Sequence, residues 1–192
     1  MKLRGLQRGL VLLALMAGTL TVAAQQQNFL LNPSFEEPER TLENPFDDLA
    51  SCWGRWGNWM NRESAWTPVH GGTCMMAYHH WRIQEDTTSG TFQDVQGTPA
   101  GANLTFAVYA FKDPDTNVES VELRIERMMG GSLINARVFP LDELRNGTWT
   151  KLMVSGTNQE TGVRVLIAVK PRQGGGREGC IKFDDAELIA GP

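Results

Sequence analysis

The hydrophobic positions of this chain fall into short runs of period two. Residues 120–127 are the clearest case, where Val121, Leu123 and Ile125 alternate with Glu122, Arg124 and Glu126. Side chains at i and i+2 share one face of a strand, so this run predicts a strand with one buried and one wet face. Residues 104–111, 163–169 and 181–189 are rich in aromatic and β-branched residues and read the same way. Residues 73–78 and 149–154 and the short run 29–31 extend the series. Turn chemistry separates the runs, at Asn32-Pro33, Gly71-Gly72, Pro99-Ala100-Gly101, Asp113-Pro114-Asp115, Asn146-Gly147 and Thr161-Gly162. The one helical signal is a turn over 140–145, where Leu141 and Leu144 are three apart. Many short strands with regular turns predict an all-β fold, an antiparallel sandwich or barrel. No period of roughly 20–50 residues recurs, which argues against a solenoid or a propeller.

The first residues follow a different pattern. Lys2, Arg4 and Arg8 precede an apolar stretch over 10–20, which ends at the small residues Val22-Ala23-Ala24. A basic start, a short apolar core and a small-residue exit predict a cleavable signal peptide over 1–24. A membrane span needs ~20 predominantly apolar residues, more than this run supplies. The expectation is therefore a single domain over 25–192, secreted or periplasmic. Without the three basic residues of the signal, 15 Lys and Arg face 22 Asp and Glu, a formal charge of −7. Such a surface does not favour nucleic acid or an anionic membrane. An oxidising compartment permits one disulfide among Cys52, Cys74 and Cys180, and three pairings are open. Cys52 and Cys180 each precede a strand-like run, which favours that pair, and Cys74 reads as a small buried hydrophobe.

The two ends of the domain carry a resemblance. NFLLNPSFEE near its start and IKFDDAELI near its finish are similar to the ends of CenC-type carbohydrate-binding modules. These are jelly-roll domains of the wider galactose-binding-like fold. Trp53-Gly54-Arg55-Trp56-Gly57 resembles the family's tryptophan strand, and Phe92-Gln93-Asp94-Val95 followed by Leu104-Thr105-Phe106 resembles its central run. The resemblance implies an antiparallel β-sandwich of jelly-roll type and a carbohydrate partner, a polymer or an oligosaccharide. It also implies a structural calcium ion held by Glu36, by one of Asp184 and Asp185, and by a carbonyl near Thr73. Hard oxygen ligands suit that ion, and three crowded carboxylates repel one another without a cation or a proton.

A sugar ring offers an apolar C–H face and a rim of hydroxyls, so its site needs a flat aromatic platform with polar groups at the edge. Trp53, Trp56, Trp59, Trp66 and Trp81 cluster in sequence, and Trp149 stands apart. Trp53 and Trp56 match the strand tryptophans, one of them expected in the core, and Trp149 is expected to cap the interior. Trp59, Trp66 and Trp81 are the platform candidates, with Arg62, His80 and Arg82 as edge residues. His79 and His80 point to opposite faces of a strand and do not form a chelating pair. No nucleophile elbow, phosphate loop or dinucleotide fingerprint is present. The leading expectation is a non-catalytic carbohydrate-binding protein. An adhesive sandwich that binds a protein or envelope partner, and a small jelly-roll lyase or hydrolase, are the alternatives.

Overall fold

The computed structural model describes residues 26–40, 48–57, 60–79, 88–128, 131–173 and 180–191. The expected signal peptide, 1–24, lies outside them. The described chain forms β1 (Gly54–Trp56), β2 (Met60–Glu63), β3 (Met75–His79), β4 (Ser89–Gln96) and β5 (Asn103–Lys112), followed by β6 (Val118–Arg127), β7 (Leu133–Pro140), β8 (Thr150–Thr157), β9 (Gly162–Pro171) and β10 (Cys180–Ala190). A 3-10 turn, Leu141–Glu143, stands where the leucine spacing predicts a helical turn.

The strands make two five-stranded sheets. Sheet one has the order β1-β4-β9-β6-β7, and sheet two the order β2-β3-β10-β5-β8. Every pairing between strands is antiparallel. The all-β antiparallel sandwich read from the sequence is therefore the fold, and its form is consistent with a jelly roll. Alternation builds the core: Val121, Leu123, Ile125, Val163, Val165 and Ile167 face inward from sheet one and are fully buried. Phe106, Val108, Phe183 and Leu188 meet them from sheet two. Each such side chain contributes about 1.5–3 kcal/mol of burial, which is why the period-two pattern survives in the sequence.

Strand β10 interrupts that pattern once. Its register against β5 shifts between Asp184 and Glu187, and Asp185 has φ 46°. This bulge sets Phe183, Ala186 and Leu188 in the core while both aspartates stay out of it. The segment over 64–74 crosses the outer face of sheet two and is held there by these carboxylates. His70 and Gly71 donate their backbone N–H groups to Asp184 Oδ2 at 2.8 and 3.0 Å. Lys182 Nζ donates to the Thr67 carbonyl at 2.8 Å.

Candidate functional site

The outer face of sheet one is built from the residues that alternate with the core. Register places Trp56, Gly90, Ala168, Glu122 and Val138 in one row across the five strands. The next row is Gly54, Phe92, Leu166, Arg124 and Ala136. Each aromatic ring lies across a glycine of the neighbouring strand. A Cβ at Gly90 would stand 2.2 Å from Trp56 Cη2, and one at Gly54 would stand 2.4 Å from Phe92 Cζ. The two glycines thus let the rings lie down on the sheet instead of standing away from it. The ring centroids are 6.3 Å apart with planes at 42°, and both residues are half-buried.

Charged groups rim the rings. Arg164 sets its guanidinium 4.6 Å over the Phe92 ring and grips Asp94 with two bonds of 2.7 and 2.8 Å. Arg124 donates to Glu122 at 2.7 Å and lies 3.6 Å from Glu126. Its pKa is raised, first by the Glu122 hydrogen bond and further by the charges of Glu122 and Glu126, against the opposing effect of burial. Lys170 pairs with Glu119 at 2.7 Å. A groove of about 380 Å³ lies on the same face, with Glu122, Arg124, Ser120, Val138, Ala168 and Lys170 among its walls. Each cation on this face has an acidic partner, so the face carries little net charge. Chemically it offers flat apolar surface, small residues between raised edges, and both hydrogen-bond donors and acceptors at the rim.

A second cleft, of about 450 Å³, opens on sheet two, lined by Trp66, Thr67, His79, Asp113, Asp115 and Lys182 among others. Trp66 meets His79 edge to face, with centroids 5.3 Å apart. Lys182 Nζ bonds Asp113 Oδ1 at 2.9 Å.

The residues singled out from the sequence are therefore dispersed. Trp66 lines the second cleft, and Trp59, His80, Trp81 and Arg82 lie outside the described residues. Arg62 is not an edge residue. Only 8% exposed, it directs its guanidinium inward to the carbonyls of Phe35 and Glu36 at 2.7 and 2.6 Å. Trp53 is the core tryptophan, 2% exposed, its indole N–H given to the Asn32 carbonyl. Trp149 does not cap the interior. It packs against His70 and Phe111 on the outer side of sheet two. The expected Cys52–Cys180 disulfide is absent: Cys52, Cys74 and Cys180 are all free, Cys52 in an exposed turn and Cys180 buried. Phe92, Asp94, Arg124 and Arg164 were not among the candidates read from the sequence. Only the cross-strand register reveals that they share a face with Trp56.

Glu36, Thr73, Asp184 and Asp185 do come together around the 64–74 segment, but as clamps on it. Glu36 Oε1 accepts the N–H groups of Thr73 and Cys74, both at 2.9 Å, and Oε2 accepts the Thr73 hydroxyl at 2.8 Å. Burial would raise the Glu36 pKa, but these donors and the Arg62 charge outweigh it and the pKa is lowered. Asp185 takes the Ser34 hydroxyl at 2.7 Å and lies 2.6 Å from His70 Nδ1. A Cβ at Gly72 would stand 2.1 Å from Glu36 Oε1, so segment and carboxylate are in direct contact. Calcium needs roughly 6–8 oxygens converging on one point. Among the described residues, no three His, Cys, Asp or Glu side chains are so placed. As arranged, Glu36 and Asp184 already accept N–H donors of the segment with the oxygens that the ion would need.

No protein-family model matches the sequence, and no curated protein matches it. Solved structures do match the fold. The carbohydrate-binding module TmCBM61, solved with beta-1,4-galactotriose, is 18% identical with a TM-score of 0.58, over 86% of this chain and 99% of that one. The CBM22-1 xylan-binding domain of Paenibacillus barcinonensis Xyn10C is 13% identical with a TM-score of 0.50, over 82% of this chain and 90% of that one. A cyclase from Fischerella sp., in its apo form, is 13% identical with a TM-score of 0.57, over 84% and 94%. The chain therefore has the fold of jelly-roll carbohydrate-binding modules, a fold that also serves an enzyme.

Proposed function

We propose that this chain is an exported, non-catalytic carbohydrate-binding protein that takes a neutral poly- or oligosaccharide on the outer face of sheet one. The observation that carries the reading is the pair of half-buried rings, Trp56 and Phe92, lying across Gly90 and Gly54 on the face that also holds a groove. The Trp56 ring offers apolar surface to the C–H face of a sugar, and the Phe92 ring beside it carries the Arg164 guanidinium. Arg164, Asp94, Arg124 and Glu122 stand where ring hydroxyls would need partners. The paired charges favour a neutral glycan over a polyanion, because a uronate or sulfate polymer requires unpaired cations. The neutral glycans named for the two carbohydrate-binding neighbours, beta-1,4-galactotriose and xylan, are consistent with this class.

Among the described residues, the same face lacks the carboxyl arrangement that catalysis would need. Glycoside hydrolysis needs two carboxyl groups flanking the bond, one of them serving as a proton donor. Here Asp94, Glu119 and Glu122 are each held by a basic side chain at 2.7 Å. That arrangement serves recognition better than proton transfer.

The reading is tested by affinity electrophoresis in neutral galactan, xylan and mixed β-glucan, with polygalacturonate as the charged control. Retardation by a neutral glycan, relieved by Trp56→Ala, is expected. Retardation by polygalacturonate alone, or by nothing while a protein partner is captured, would replace the reading with a different one.

A further inference from the structure

We infer that the Arg62 guanidinium does inside this fold the work that the resemblance assigns to a bound metal ion, so that the fold is independent of divalent cations. Arg62 stands on β2, and its side chain is directed inward instead of reaching solvent. Its Nε donates to the Phe35 carbonyl at 2.7 Å, and its Nη2 donates to the Glu36 carbonyl at 2.6 Å and to Cys74 Sγ at 2.8 Å. These two carbonyls belong to the segment at which the resemblance places the ion. A metal would gather such carbonyls together with the nearby carboxylates. Here the carbonyls are satisfied by N–H donors, and the Glu36 carboxylate is turned onto Thr73 and Cys74.

The charge of the site is met as well. Arg62 places a permanent positive charge close enough to Glu36 to favour its ionised form. Guanidinium suits this task because it is planar, carries several donors in a fixed fork, and keeps its proton throughout the accessible pH range. One side chain therefore joins three parts of the chain: the 35–36 segment, β2, and the start of β3 at Cys74. A Cβ at Gly72 would stand 2.1 Å from Glu36 Oε1, so the 64–74 segment lies directly against that carboxylate oxygen. The inference does not depend on what the protein binds, because its readout is the stability of the folded chain.

The test is thermal unfolding of the chelator-treated protein, with and without millimolar calcium, alongside terbium luminescence sensitised by tryptophan. The expected result is the same melting temperature in both conditions and terbium emission at the level of buffer. Arg62→Gln should lower the melting temperature by roughly 10 °C, since it leaves buried acceptors and a carboxylate without their cation. Arg62→Lys should recover part of that loss, since it restores the charge but not the fork. Calcium should rescue neither variant. A melting temperature that rises with calcium and falls on chelation in the unmodified protein would overturn the inference. So would calcium-dependent terbium displacement. The unmodified protein alone decides the matter if the Arg62 variants do not fold.

Discussion

Asp184 has no exposed surface, and its carboxyl lies under the 64–74 segment. Burial pushes its pKa from an ordinary 3.8 up to about 6, helped by the neighbouring Asp185 charge and opposed by the N–H donors of Gly71, Asp185 and His70. Below pH 3.8 the group is protonated in both the folded and the unfolded chain. Between about pH 4 and pH 6 the unfolded chain ionises freely while the folded chain resists, so stability falls as pH rises. Above about pH 6 the loss is complete. A rise of about 2 pKa units corresponds to about 3 kcal/mol, or a fall in melting temperature of roughly 6–12 °C for a domain of this size. Glu36 acts in the opposite direction in a lower window. Its pKa is lowered from 4.5, so its stabilisation holds at higher pH and is lost as pH drops below that value. The assay is chemical denaturation across pH 4–8 for the unmodified protein and Asp184→Asn. The substitution also disturbs the backbone donors that Asp184 accepts, so the informative quantity is the slope with pH. The slope between pH 4 and 6 should become clearly shallower in the variant, the remainder coming from Glu63, whose pKa is also raised by burial and by the Asp48 charge. An equal slope in both proteins would refute the assignment. A stability that rises with pH in this window, and does so only with Asp184 present, would mean that the carboxylate is held ionised by a cation.

Other consequences are more local. Gly72→Ala places a Cβ against Glu36 Oε1 at a backbone φ of 59°, and should cost about 1–3 kcal/mol in urea denaturation. All three cysteines should react with a thiol reagent in denaturant, while in the native protein Cys52 reacts readily and Cys180 does not, burial having pushed the Cys180 thiol up to about 12. Mass spectrometry of the alkylated protein checks both, and a native Cys52–Cys180 disulfide would contradict the free-thiol arrangement. Trp66→Ala, in the cleft on the opposite sheet, should leave binding to the sheet-one face unchanged in the same electrophoresis assay.

The fold was legible where a strand has one buried and one solvated face. Residues 120–127, 163–169 and 181–189 each mark strands that the structure extends by a few residues. Strand β7 escaped that reading because it is an edge strand with an inverted pattern. Ala136 and Val138 lie on the outer side, Ile134 turns in against the core at the register shift, and among the paired inward positions Asn135 and Arg137 are polar, with Phe139 the buried apolar anchor. The 3-10 turn was legible because Leu141 and Leu144 are both buried.

The site was less legible, because its parts are joined by pairing and not by spacing. Trp53 and Trp56 look equivalent in sequence. What separates them is that Trp56 faces Gly90 across the sheet while Trp53 packs on Phe35 at 5.0 Å in the core. Arg62 reads as an exposed edge residue by its chemistry, and only the carbonyls of Phe35 and Glu36 explain why it turns inward. The convergence of Glu36 with Asp184 and Asp185 could be anticipated from the ends of the chain. Their occupation by N–H donors could not, because it depends on the path of the 64–74 segment over sheet two.

The most direct test of the central claim is isothermal titration of a neutral oligosaccharide, chosen from the glycan panel, into the unmodified protein and into Trp56→Ala and Phe92→Ala. If the sheet-one face is the binding surface, each variant should weaken binding by about 2 kcal/mol, roughly 30-fold, while its melting profile stays cooperative. Unchanged affinity in both variants, with the oligosaccharide still bound, would contradict the account and move the site off this face.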